Sequence, residues 1–256
     1  KHVNTDISSI KDAVATYGAV ASSYVLSANK GHAVSIIGWN DNNQSWLIKD
    51  SGSTPCGYHY LPYSSKFIYC YTFTDIEPYS NNEKIYQHDY YGYTTELSTQ
   101  LPNLTTANVF DFKEGEALNS IIFESGSENQ NYALYYAPVL SNGKPDHNSR
   151  TWKKLAQGTV KQNGYNYVEL ESKLNLTSSK GAIILKLTKA DCYNDKKLSV
   201  GIELSQENYI LKIDSKTNVS FILDNTFTDV QNILTLGQKV TSLCIKAITT
   251  SASLAR

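Results

Sequence analysis

Apolar residues recur at helical spacing near the start of the chain and, almost everywhere after that, in short runs suited to strands. Ile7, Ile10, Val14 and Tyr17 mark one face of a helix. Asp6 stands where an N-cap acceptor belongs, and Gly18 stands where the helix must stop. Residues 19–25, 32–39, 45–50 and 57–63 each read as an extended segment, with Asn40-Asp41-Asn42-Asn43 as a turn between the second and third. Beyond about residue 76 the character changes. Strand signals appear over 107–112, 118–124, 132–140, 165–170, 182–188, 198–204 and 243–248, with Gly115, Gly126, Asn142-Gly143, Asn163-Gly164 and Gly181 in the turns. The pattern predicts a mainly β protein: one helix plus antiparallel strands over 1–75, then an antiparallel β-sandwich over 76–250.

Composition narrows the function classes. Lys and Arg number 23 against 24 Asp and Glu, for a net charge of -1, so no basic field exists to hold nucleic acid. The apolar runs are too short for a membrane span or a signal segment. Cys56, Cys70, Cys192 and Cys244 show no C-x-x-C spacing, which excludes zinc ribbons and thioredoxin-type redox motifs. Tyr is the outlier at 19, and ten of these fall between Tyr58 and Tyr93, as half-buried strand positions favour. The chain begins at Lys1 and contains no Met, which implies a processed chain or a piece of a longer one.

Of the five histidines, His32 has the most suggestive setting. It opens an apolar strand directly after Gly31 and a polar turn, where a reactant can reach it. The returning strand ends at Asp50, so a hairpin brings a carboxylate toward the imidazole. A His held by such a group is the base half of a nucleophilic site, although packing is the commoner role for a single His. Trp152, within Arg150-Thr151-Trp152-Lys153-Lys154, is a candidate exposed aromatic for stacking on a sugar ring.

Longer motifs carry a resemblance. Gly31-His32-Ala33-Val34-Ser35-Ile36-Ile37-Gly38-Trp39 followed by Ser45-Trp46-Leu47-Ile48-Lys49-Asp50-Ser51-Gly52 resembles the papain-like cysteine peptidases. The helix Ile10–Tyr17 with Gly18-Ala19-Val20, and the later Gly57-Tyr58-His59-Tyr60, fit the same family in order and spacing. The resemblance implies that residues 1–75 are the C-terminal part of such a domain, with His32 as catalytic imidazole and Asp50 where the family has an orienting Asn. It also implies peptide hydrolysis without a cofactor, and a nucleophilic Cys and oxyanion Gln far upstream of His32. None of the four cysteines occupies that place, so this chain by itself is expected to be inactive.

Two departures are visible. Gly52 stands where the family has Trp, and the segment from Asp50 to Gly57 is short. Residues 76–250 resemble the lectin-like domain of bacterial and archaeal surface cysteine peptidases, through Tyr86-Gln87-His88-Asp89-Tyr90-Tyr91-Gly92 and Cys244-Ile245-Lys246-Ala247 among other stretches. That implies an extracellular or cell-surface setting, a protein or peptide substrate, and a glycan or cell-wall polymer as partner. Some relatives hold a structural calcium ion, but no acidic run with calcium-loop spacing is legible. The alternative is a non-catalytic carbohydrate- or cell-wall-binding module with a degenerate peptidase remnant.

Overall fold

The computed structural model describes residues 1–28, 30–52, 57–74, 82–190, 197–205, 216–235 and 238–251. Cys56, Cys192 and the expected boundary at residue 76 lie outside them. The chain divides into two compact units, Lys1–Pro78 and Tyr79–Arg256.

In the first unit, helix α1 (Ile7–Tyr17) starts where Asp6 accepts the Ser9 N–H at 2.9 Å and ends at Gly18, whose φ of +91° leads the chain out. Strands β1 (Val20–Ser27), β2 (Lys30–Asn40), β3 (Ser45–Lys49), β4 (Tyr58–Pro62) and β5 (Phe67–Tyr71) form one antiparallel sheet in the order β4-β3-β2-β1-β5. Strand β5 has no counterpart among the expected elements, because Phe67-Ile68-Tyr69-Cys70-Tyr71 is unbrokenly apolar and lacks a period of two. Ile10 and Ala13 of α1 pack with Val20, Val34, Ile36 and Ile48 of the sheet. Trp39 and Trp46 are cross-strand partners, but they share no core: Trp46 is buried against Tyr63 and Phe67, while Trp39 stays exposed beside Lys11.

The second unit is an antiparallel β-sandwich. Its strands are β6 (Glu83–Tyr86), β7 (Thr95–Thr99), β8 (Asn103–Asp111), β9 (Glu116–Ser125), β10 (Asn131–Ala137), β11 (Lys153–Thr159), β12 (Gly164–Asn175), β13 (Lys180–Thr188), β14 (Leu198–Leu204), β15 (Ser220–Leu223), β16 (Phe227–Asp229), β17 (Leu234–Thr235), β18 (Gln238–Leu243) and β19 (Ile245–Ser251). One sheet runs β11-β10-β13-β8-β15-β16, and the others run β12-β9-β19-β6 and β17-β18-β14-β7. Phe110, Leu118, Ile121, Phe123, Leu134 and Ile183 lie in the core they enclose. The single strand expected over 243–248 is two. They meet at Cys244, whose N–H donates to Gly201 O at 2.8 Å while its own carbonyl accepts the Glu124 N–H at 3.0 Å. The chain thereby leaves β14 as its neighbour and joins β9.

Candidate functional site

Strand pairing decides which side chains of the first unit can meet. Residues opposite one another across an antiparallel pair point to the same face. Tyr24 lies opposite His32, and Ile48 lies opposite both Ile36 and His59. A β-bulge between Ile36 and Gly38 shifts β2 against β3 by one position, so Ser35 faces Lys49. Continuing that register one step sets Asp50 level with Val34, on the face His32 shares. Tyr24, His32, Asp50 and His59 therefore stand together on the face that carries Val34, Ile36 and Ile48.

The contacts bear this out. His32 Nε2 lies 2.8 Å from Asp50 Oδ1, and the Gly52 N–H donates to the same oxygen at 2.8 Å. The carboxylate is buried, with its side chain 1% exposed, whereas the imidazole is 32% exposed. An ionised carboxylate only accepts, so Nε2 carries the proton and Nδ1 is the nitrogen left for a reactant. Tyr24 packs edge-on against the His32 ring, with centroids 5.8 Å apart, which fixes the plane of the ring. Asp50 N–H donates to Gly57 O at 2.7 Å, which anchors the end of β3 to the start of β4. At Gly52 an added Cβ would sit 3.7 Å from His32 Cε1 and 3.6 Å from Asp50 Oδ1. A side chain at that position would lie against both members of the pair, and glycine puts none there.

The sequence reading passed over His59. Its Nδ1 lies 3.9 Å from Asp50 Oδ2 and, among the described residues, has no hydrogen-bond partner although it is closed from solvent. The alternation of Tyr58-His59-Tyr60 was legible, but the register that aims His59 at Asp50 was not.

The described cysteines supply no nucleophile. Burial pushes the Cys70 thiol up, against a weaker opposing effect of the Ser22 hydroxyl, whose Oγ lies 3.3 Å from Sγ. Burial pushes the Cys244 thiol well above its ordinary value, aided by the negative charge of Asp89.

In the sandwich, Trp152 is not an open platform. It is half-buried, packs near Tyr135 and Phe227, and its Nε1 donates to Asp146 O at 2.7 Å. The exposed aromatics are elsewhere: Tyr90 is 64% and Tyr91 54% exposed. Their turn is tied down from inside. Tyr91 N–H donates to Glu203 Oε1 at 2.7 Å, and the Asp89 carboxylate accepts from Lys246 Nζ at 2.6 Å and from the Tyr165 hydroxyl at 3.1 Å. Burial pushes the Glu203 carboxyl up, and burial pushes the Tyr165 phenol up far more. Among the described residues no three His, Cys, Asp or Glu side chains converge to hold a metal, so no calcium ligands are assigned.

A family profile described as a lectin-like domain matches residues 85–249. The chain belongs to the lectin-like domain family. Among solved structures, this lectin-like chain is similar to a clostridial cysteine protease Cwp84 captured after propeptide cleavage. The two are 28% identical with a TM-score of 0.81, over 98% of this chain and 70% of that one. It is also similar to a structure of the cysteine protease and lectin-like domains of Cwp84, described as a surface layer associated protein of Clostridium difficile. There the identity is 27% and the TM-score 0.80, over 97% of this chain and 62% of that one. No curated protein sequence matches. The likeness extends over nearly the whole chain, beyond the stretch that the family profile covers.

Proposed function

We propose that the first unit is the imidazole half of a papain-like cysteine peptidase site, carried with a lectin-like sandwich that holds it to glycan at a cell surface. The observation that carries this reading is the 2.8 Å contact between half-buried His32 and buried Asp50, which engages Nε2 and leaves Nδ1 as the nitrogen for a reactant. In the reaction His32 Nδ1 takes the proton of a thiol, giving a thiolate–imidazolium pair. The thiolate attacks the peptide carbonyl, and the Nδ1–H then passes to the departing amine. Asp50 keeps Nε2 protonated and the ring in place throughout. No metal or cofactor enters. The thiol comes from outside the described residues, since Cys70 and Cys244 are buried with raised thiols. The relation to Cwp84 supports both a protein substrate and a surface location.

The test is hydrolysis of a quenched fluorescent peptide by the protein that contains this chain. His32→Ala is expected to abolish thiol-inhibitor-sensitive cleavage, by roughly a thousandfold or more. Undiminished cleavage in that variant overturns the reading.

A second reading, a glycan-binding module without catalysis, is favoured by two observations. Gly52 stands beside the His32–Asp50 pair where the papain-like family has a Trp, so that indole is missing. Tyr90 and Tyr91 present exposed rings on a turn fixed by Glu203 and Asp89, a ready stacking surface for a sugar. Tyr90→Ala with Tyr91→Ala is expected to remove binding on a glycan panel, and retention of full binding excludes that surface.

A further inference from the structure

Asp50 is served from two sides. Its Oδ1 takes the His32 Nε2–H and the Gly52 N–H, each at 2.8 Å. Its Oδ2 faces His59 Nδ1 at 3.9 Å, which is an electrostatic approach rather than a formed hydrogen bond. The His59 side chain is 23% exposed, but Nδ1 itself is shut away from solvent and meets no hydrogen-bond partner among the described residues. A buried polar atom in that state is costly unless its charge suits its surroundings. A lone pair on Nδ1 would point toward a carboxylate, whereas an N–H would point its positive end there.

Among the described residues, the neighbouring Tyr24 and Lys49 are turned to other partners. Tyr24 meets the His32 ring by its edge, and Lys49, on the opposite face of β3, lies 5.9 Å over the Tyr58 ring. The pairing of Ile48 with His59 fixes the backbone of β4 at this level, so the approach is built into the sheet.

We infer that His59 is a positioning residue: its Nδ1–H faces Asp50 Oδ2 and keeps the carboxylate turned so that Oδ1 stays on His32. Asp50 thus holds two imidazoles, one outward and reactive, one inward and structural. The inference deepens the peptidase reading and rests on it for its functional meaning, but its geometry is tested without any thiol.

The first measurement is on the unmodified chain, by long-range nitrogen–proton NMR of the imidazole rings. His59 Nδ1 is expected to carry a proton at every pH at which the fold persists, in the neutral ring as well as the charged one. A neutral His59 protonated at Nε2 alone overturns the inference, whatever any variant does. The second compares His59→Phe, which keeps a ring but no donor, with His59→Asn, whose amide nitrogen falls near the place of Nδ1.

In H59F the hydrogen-bonded His32 Nε2 proton is expected to exchange with water about tenfold faster, and H59N should restore most of the protection. A residue that only filled space would give the reverse order, with Phe near wild type and Asn impaired. That result, or equal protection in all three proteins, overturns the inference. If H59F does not fold, the protonation of Nδ1 in the unmodified chain and the protection in H59N still decide. Cleavage undiminished by His32→Ala in the peptidase assay, with these NMR results intact, would overturn the catalytic reading alone.

Discussion

Asp50 in the first unit and Asp89 in the second are removed from water to almost the same degree, 3% and 1% exposed. Their partners differ. Asp89 is met by Lys246 and Tyr165, and Lys246 is further tied to Gln87 Oε1 at 2.7 Å. Every charge in that group points inward and serves the fold. Asp50 meets an imidazole whose second nitrogen is turned away from it and whose ring is partly open to solvent. A buried carboxylate is thus no sign of chemistry by itself. It becomes one when the group it holds is titratable near neutrality and can reach a reactant.

The sharpest way to test this contrast is to strip a partner from each carboxylate. Lys246→Met leaves Asp89 buried without its cation and should cost the sandwich about 3–5 kcal/mol in denaturant unfolding. A loss under 1 kcal/mol would mean that water reaches Asp89 and that the two sites are not comparable. The next effect comes from a third carboxyl. Glu124 is fully buried, and burial first, then the negative charge of Glu96, pushes its carboxyl up to about 8. The folded form therefore keeps a proton that the unfolded chain releases near its ordinary value of 4.5.

The stability that this proton provides is complete below pH 4.5, falls as the pH rises, and is gone above about pH 8. The slope is about 1.4 kcal/mol per pH unit in the middle of that window. Glu124→Gln should flatten that slope in urea titrations at a series of pH values, and an unchanged slope would remove Glu124 as its source. The smallest effect is expected at Asp50. Asp50→Ala should cost about 1–2 kcal/mol of stability, because His32 can turn its Nε2–H to water. Its larger consequence should appear in peptide hydrolysis, where the unheld ring loses its orientation. Stability and activity falling in proportion would erase the distinction between the two carboxylates.

Much of this was legible in the chain because the signals are local. The cap at Asp6, the stop at Gly18 and the alternation over residues 198–204 each depend on a few neighbours, and α1 and β14 fall where those signals lie. Strands β6, β7 and β11 were missed because their sequences, such as Thr95-Glu96-Leu97-Ser98-Thr99, have little apolar content and are held by pairing rather than burial. The change of sheet at Cys244 was invisible because the run on either side is continuously suited to a strand. His32 and Asp50 could be paired from a hairpin and its length. His59 could not, since its relation to Asp50 passes through the register of β3 with β4. Trp152 looked exposed among charged residues, but the carbonyl that accepts its indole N–H belongs to Asp146, six residues back in a loop with no strand signal.

The bulge between Ile36 and Gly38 takes Ile37 out of the ladder, and the face on which Asp50 meets His32 depends on the count of residues from there back to His32. One residue deleted between Ile36 and His32 would leave the sheet able to pair yet turn His32 to the opposite face from Asp50. The protein could then keep its shape while its polar cluster came apart. When relatives of this chain are compared, a one-residue gap in β2 between His32 and Ile36 is therefore more telling than most substitutions, because it takes the pair apart without touching either partner.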